Sequence, residues 1–179
     1  MENITIGKLK ENFSTSILEI NTNNGDAFVL VEKKQIIPIL TFLKNDSELD
    51  YNMLIDLSAV DYLKHPVKKA ERFEIVYQLY SLTKNHKIRI KVSIEMKDLC
   101  VDSATSLWKS ANWAEREVFD MFGIKFNGHP NLRRILTHHE FIGHPLRKDY
   151  PIKKRQILSV NDTLMDEMEQ KLREKGLKQ

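Results

Sequence analysis

Two runs, residues 73–82 and 87–94, restrict the possible folds more than any other part of the chain. In the second, Ile88, Ile90, Val92 and Ile94 alternate with Arg89, Lys91 and Ser93. That is the two-residue period of a strand with one buried and one wet face. Phe73, Ile75, Tyr77 and Leu79 alternate likewise, with Val76 and Tyr80 making the opposite face less polar. Residues 83–86 turn between them, so the pair predicts an antiparallel hairpin. A sheet apolar on one side needs a second layer to cover it.

The rest of the first hundred residues supplies that layer. Thr5 is positioned to cap a helix through residue 13, with Lys8 and Glu11 outward. Ile17-Leu18-Glu19-Ile20 and residues 27–31 flank Asn23-Asn24-Gly25-Asp26, and Asn-Gly provides the positive φ angles of a tight hairpin turn. A helix over 37–44 follows, with Pro38 in the first turn, where no amide hydrogen is needed, and Ile36, Leu40 and Leu43 on one face. Residues 53–59 read as a third strand. The pattern predicts an α+β fold of two layers: a mainly antiparallel five-stranded sheet, helices packed on one face, and an irregular C-terminal docking extension. The expected division is 1–100 for the sheet domain, 101–152 for short helices and an Arg/His/Pro-rich segment, and 153–179 for a charged tail.

Residues 111–152 hold four of the six histidines and two Gly-His-Pro turns, Gly128-His129-Pro130 and Gly143-His144-Pro145. Little of this stretch reads as core, and it is expected to be a rigid surface shaped for a partner. A short helix is expected over 103–109 and a second over 113–122. Asn112 would cap the second, Glu115 would complete a capping box, and Gly123 would end it. Ala114, Val118, Met121 and Phe122 form its apolar stripe, leaving Arg116, Glu117 and Asp120 to point elsewhere. The helix dipole disfavours Asp120 in the last turn by roughly 0.5 kcal/mol. Asp120 is therefore expected to pair with Arg133, Arg134 or Arg147. In the tail, Leu164, Met165, Met168 and Leu172 make a thin stripe between a cap at Asn161 or Asp162 and a stop at Gly176.

Charge narrows the function classes. Residues 125–155 carry eight Lys/Arg against Glu140 and Asp149, a net of +6, which leaves the remainder of this +3 chain at −3. An acidic partner would bind there. Cys100 is the only cysteine. It makes no internal disulfide and cannot supply the four thiolates of an ordinary iron–sulfur cluster. No secretory or transit pattern leads the sequence. The most apolar run, residues 36–43, is too short to span a bilayer, so membrane contact is expected only through other subunits.

Three chemistries are conceivable for the second half of the chain. His129, His138, His139, Glu140, His144 and Asp149 are metal-ligand types in a short span, but there is no H-E-x-x-H, and Gly-His-Pro also serves as a plain turn. The basic segment with Trp108, Trp113, Phe126, Phe141 and Tyr150 resembles a nucleic-acid surface in composition, yet its cations are broken up by prolines and turns. The six glycines are isolated, so no loop cradles a pyrophosphate. Glu115 and Glu117 as an acid/base pair would face different directions on a helix. The residues taken alone argue for a chain with no catalytic, cofactor or metal site, whose distinctive surface serves assembly.

Glu115-Arg116-Glu117, then Asp120-Met121-Phe122-Gly123-Ile124, then Gly128-His129-Pro130-Asn131-Leu132-Arg133-Arg134-Ile135-Leu136 closely resemble the signature of the C subunit of respiratory NADH–quinone oxidoreductase, complex I. Gly143-His144-Pro145-Leu146-Arg147-Lys148-Asp149-Tyr150-Pro151 continues it. The resemblance implies a peripheral-arm core subunit on the cytoplasmic side of a bacterial cell membrane. It implies that the chain carries neither flavin nor cluster, with FMN and Fe–S clusters in sister subunits and proton translocation in a separate membrane arm. The large D subunit, which holds the quinone site, and the neighbouring Fe–S subunits are the implied partners, with no nucleic acid. Among the signature residues, Glu115, Arg116, Glu117, Asp120, Gly123, Gly128, His129, Pro130, Arg133, Arg134, Gly143, His144, Pro145, Arg147, Lys148 and Asp149 are the implied interface. Asn131 stands where the family commonly has Asp, and the tail after Pro151 departs from the family pattern. A ferredoxin-fed relative or an energy-converting hydrogenase shares the same module.

Overall fold

The computed structural model describes residues 4–22, 27–66, 68–156 and 163–176. Helix α1 (Ile4–Phe13) precedes the hairpin of β1 (Ile17–Asn21) and β2 (Phe28–Val31). The turn expected at Asn23, Asn24, Gly25 and Asp26 lies outside the described residues. Helix α2 (Ile36–Asn45) then leads to β3 (Met53–Asp61), β4 (Phe73–Ser81) and β5 (His86–Ile94). The sheet order is β1-β2-β5-β4-β3. Antiparallel pairing joins β1 to β2, β3 to β4 and β4 to β5, but β2 lies parallel to β5. The chain leaves β2 through α2, starts again at the far edge with β3, and returns by two hairpins to β2. That α2 crossover is the one connection the hairpin pattern does not supply.

The alternation works as expected. Ile88, Ile90, Val92 and Ile94 face Leu79, Tyr77, Ile75 and Phe73 across the β4–β5 ladder, and all eight are buried. Ile36, Ile39, Leu40 and Leu43 of α2 join the same core. The opposite face of β4 carries Glu74, held at 2.9 Å by Lys91 and at 3.0 Å by Tyr62 Oη, and Lys91 also lies over Phe28. Thr5 differs from its expected place. It sits inside α1, fully buried, sharing a 2.9 Å hydrogen bond with Tyr51 Oη rather than capping the helix. Lys8 is turned to Asp46 and Glu48.

After β5 the chain forms a small β-α-β unit that sequence periodicity does not reveal. Strands β6 (Cys100–Asp102) and β7 (Lys125–Asn127) pair in parallel around α3 (Ala111–Phe122). Three residues are too few to display an alternation. The helix expected over 103–109 is instead a pair of turns, with Ala104 O accepting from Leu107 N and Trp108 N. Helix α3 covers the sheet with Val118, Met121 and Phe122, and Phe122 meets Phe73 edge to face. In the tail, α4 (Thr163–Glu174) ends before Gly176, whose φ is 66°. The expected caps Asn161 and Asp162 and the side chains of Leu164, Met165 and Met168 lie outside the described residues. No helix among the described residues is long and apolar enough to cross a membrane.

Candidate functional site

Asp120, Gly123, Arg134, Gly143, His144 and Arg147 of the signature converge on the C-terminal end of α3. The last carbonyls of a helix have no partner within it. Gly123 takes φ 76° and donates its N–H to Phe119 O at 2.8 Å, closing the helix as expected. The next three carbonyls are met by the second Gly-His-Pro segment. His144 Nδ1 donates to Asp120 O at 2.9 Å, Leu146 N–H to Met121 O at 3.1 Å, and Arg147 Nε to Phe122 O at 2.6 Å. A segment more than twenty residues away in sequence thus caps the helix.

Beside these carbonyls lies the Asp120 carboxylate, with no exposed surface. Its Oδ2 accepts the successive N–H groups of Ile135, Leu136 and Thr137 at 3.0, 2.8 and 2.8 Å. Its Oδ1 accepts Arg134 Nη1 at 2.6 Å and the Thr137 hydroxyl. Consecutive backbone donors around one anion form a nest. Burial alone would raise the Asp120 pKa. The donors from Thr137, Arg134 and Ile135 outweigh it and hold the carboxyl well below the usual range. Of the three arginines expected to pair with Asp120, Arg134 does so, and its Nη2 also reaches Gly143 O at 2.9 Å.

Arg116 and Asp120 lie off the apolar stripe, as expected, yet both are buried, as is Glu115. The Arg/His/Pro-rich segment folds back over that side of α3. Arg116 donates to Arg133 O and Arg134 O, each at 3.1 Å, and its guanidinium lies 5.2 Å from the centre of the Trp113 ring. The stretch read as nearly free of core therefore contributes Ala111, Val118, Met121, Phe122, Ile124 and Phe126 to the hydrophobic cluster.

Asn112 is the second residue of α3 and not its cap. Its carbonyl accepts His129 Nε2 at 3.0 Å, while His129 Nδ1 accepts Asn131 N–H at 3.0 Å. The two Gly-His-Pro turns thus grip opposite ends of one helix, His129 at the start and His144 at the finish. This divides the histidines that composition had grouped. His138 and His139 stack on each other with ring centres 4.1 Å apart, and Glu140 N–H donates to His138 Nδ1 at 3.3 Å. Among the described residues, no group of three or more His, Cys, Asp or Glu is placed to hold a metal ion.

A further anchor lies where β3 ends. Asp61 stands opposite Phe73 on the apolar face and is buried. Arg72 approaches it with Nε at 3.0 Å and Nη2 at 2.8 Å, and the N–H groups of Leu63 and Lys148 add bonds at 2.9 and 2.8 Å. Burial is outweighed by Arg72 and these two amides, and the Asp61 pKa falls to about 2. Arg72 also holds Asp149 through Nη2 at 2.7 Å and Nη1 at 3.1 Å. Asp61 is not among the residues that sequence reasoning singles out. Its signal is a carboxylate at a core-facing strand position, which requires a cation nearby.

Glu115 makes no capping box. It accepts Ser103 Oγ and Ala104 N–H, each at 2.7 Å, tying the turns after β6 to α3. Burial raises its pKa to about 7 against the opposing effect of those two bonds. Burial and the Glu115 charge raise the pKa of Tyr77, whose buried hydroxyl has no hydrogen-bond partner among the described residues.

What remains outward is Glu117, Gly128, Pro130, Arg133, Lys148 and Asp149, together with the apolar side chains of Trp113, Leu136, Ile142, Leu146 and Ile152. Two glycines hold the scaffold under this surface. A Cβ on Gly143 (φ 103°) would fall 2.8 Å from Tyr150. A Cβ on Gly123 would fall 2.5 Å from His144 Nε2 and 2.6 Å from Arg147 Nη2. Gly123→Ala is expected to cost about 1–3 kcal/mol from left-handed backbone strain alone, and more from the displaced ring and guanidinium. Urea unfolding measures the loss, whereas Gly7→Ala, inside α1 with nothing within 4 Å, is expected to cost nothing.

Residues 29–156 match the family model described as "Respiratory-chain NADH dehydrogenase, 30 Kd subunit". The chain is 44% identical to the NADH-quinone oxidoreductase C subunit of Geobacter sulfurreducens and 48% identical to that of Trichlorobacter lovleyi. Each alignment covers 84% of this chain and 90% of the relative. The corresponding protein of Legionella pneumophila (strain Paris) is 39% identical over 82% of this chain and 76% of its own length. Among solved structures, the trypsin-resistant fragment (1-134) of Nqo5 superimposes with a TM-score of 0.65 at 32% identity, covering 72% of this chain and 99% of that one. A chain of the archaeal membrane-bound sulfane sulfur reductase shares the fold, with a TM-score of 0.67 at 21% identity over 83% of this chain and 84% of that one.

Proposed function

Since this chain belongs to the family of the 30 Kd subunit of respiratory-chain NADH dehydrogenase, we propose that it is the C subunit of a membrane-associated NADH–quinone oxidoreductase. In this reading it works as a peripheral scaffold on the cytoplasmic side. It holds the quinone-site subunit and the adjacent Fe–S subunits in register, within a complex that translocates protons. Electrons pass from NADH through FMN and clusters in those sister subunits. A chain with one thiol cannot ligate an ordinary cluster by itself.

The observation that carries the proposal is the division of labour among the signature residues. Asp120, Arg116, Arg134, His129 and His144 turn their polar groups inward onto their own backbone. They thereby fix an outer surface of Trp113, Arg133, Leu136 and Ile142, which is exposed in this chain. A surface braced in advance loses little conformational freedom when a partner covers it. Trp and Arg are the residue types that carry most energy at such contacts.

The test is affinity purification of the tagged chain from membranes. Flavin- and cluster-bearing subunits are expected to come with it, and NADH-driven quinone reduction should vanish from membranes that lack it. Two neighbouring arginines then separate docking from folding. Arg133→Ala is expected to change the stability of the isolated chain by no more than about 0.5 kcal/mol while lowering recovery of the other subunits. Arg134→Ala strips the cation from a buried carboxylate and should cost about 3 kcal/mol in the isolated chain. Equal stability losses for the two would remove Arg133 from the proposed interface.

A further inference from the structure

Leu63 and Lys64, in the loop after β3, and the segment from Pro145 to Lys153 enclose an open groove of about 760 Å³. Four cations line it: Lys64, Arg147, Lys148 and Lys153. Its one carboxylate, Asp149, is already engaged by both terminal nitrogens of Arg72. Arg147 is half-buried, with Nε on Phe122 O and its guanidinium 5.4 Å from the centre of the Phe73 ring. It makes no direct ion pair among the described residues, and burial with the nearby Arg72 charge disfavours its cationic form by more than Asp149 and Asp61 favour it. An arriving carboxylate would relieve that repulsion. Between the cations stand Leu63, Leu146 and Ile152, exposed at 50%, 47% and 101%.

We infer that this groove receives an extended acidic segment of a neighbouring subunit, with one carboxylate meeting Arg147 and an apolar side chain resting on Leu63, Leu146 and Ile152. The inference rests on the multi-subunit reading proposed above and adds to it the chemistry of the occupant. The planar fork of Arg147 suits a carboxylate, and the three lysines around it repel a basic segment. Pro145 and Pro151 fix the path of the wall, which lowers the cost of closing on a partner. A phospholipid headgroup would satisfy the lysines but leave the three apolar side chains in water. An extended peptide covers both.

Photo-crosslinking in the assembled complex tests this. Leu63→benzoylphenylalanine places the probe on an exposed side chain and keeps the backbone N–H that Leu63 gives to Asp61, and the complex is purified through a tag on another subunit. The expected product joins residue 63 to a segment of another subunit with an excess of Asp/Glu over Lys/Arg and at least one Leu, Ile, Val or Phe. Adding Lys64→Glu and Lys153→Glu should lower its yield about fivefold, as like charges are set against the segment. A crosslink to a neutral or basic segment, to lipid or to the chain's own tail overturns the inference, and so does no crosslink from a complex that contains the chain. Absence of the chain from the purified complex overturns the multi-subunit reading as well.

Discussion

Asp120→Asn is expected to be among the most damaging single substitutions in this chain, at about 3–5 kcal/mol, because it breaks an ion pair whose carboxylate is fully buried and serves five donors. The carboxylate accepts from three successive amides, one hydroxyl and one guanidinium. An amide side chain offers one oxygen where the carboxylate offers two, and turns an NH2 group toward donors on whichever side it lies. The substitution should therefore release residues 135–137, then Arg134, and through Gly143 O the His144 turn that caps α3. Hydrogen exchange is the sharpest measurement. The amides of Ile135, Leu136 and Thr137 should exchange orders of magnitude faster, while those of Ile90 and Val92 should change only by the global loss. If residues 135–137 keep their protection in the variant, the carboxylate does not organise the segment.

The second large effect is a dependence of stability on pH with opposing contributions. Glu115 has its folded pKa raised from 4.5 to about 7. The folded state therefore binds the proton more tightly than the unfolded chain. This contribution is fully present below pH 4.5, is lost as pH rises toward 7, and is gone above it. The shift corresponds to about 3 kcal/mol. Asp61 and Asp120 work in the other direction. Their folded pKa values are depressed, so their contribution is present above the unfolded value near 3.8 and is lost as pH falls below it. His144, whose pKa burial lowers from 6.5, opposes Glu115 between pH 5 and 7, because its contribution is lost as pH falls. The decline of stability toward pH 7 is therefore expected to be shallower than Glu115 alone would give. Glu115→Gln is expected to flatten the decline above pH 5, because its Oε1 can accept Ala104 N–H while its NH2 donates to Ser103 Oγ. Urea midpoints at pH 5, 6, 7 and 8 measure the slope. A variant as steep as the parent would locate the titrating group elsewhere.

The layer architecture was legible because it follows from period and length. The nine-residue alternations of β4 and β5 and the apolar face of α2 leave few ways to bury themselves. Strands β6 and β7 were not legible, since three residues carry no period and their pairing is set by α3 between them. The candidate site was legible as a set of residues but not as an arrangement. Sequence places Arg116 and Asp120 off the apolar stripe of α3 but does not say that they are buried. What buries Arg116 and Asp120 is the segment around Arg133 and Arg134, which returns from more than ten residues away, and local pattern does not encode that return. The Asp120–Arg134 pairing was accessible because a carboxylate in the last turn of a helix needs a nearby cation. The role of His144 was hidden, because its partner is a backbone carbonyl, which every residue has.

The parallel seam between β2 and β5 has a consequence for biogenesis. As the nascent polypeptide leaves the ribosome, β1 and β2 can pair at once, but the inner edge of β2 stays open until residues 89–92 have been made. For about sixty residues of synthesis, Val29 and Val31 border an unsealed edge, a template for illicit strand addition. Aggregation of truncated translation products should therefore drop sharply once the fifth strand has emerged.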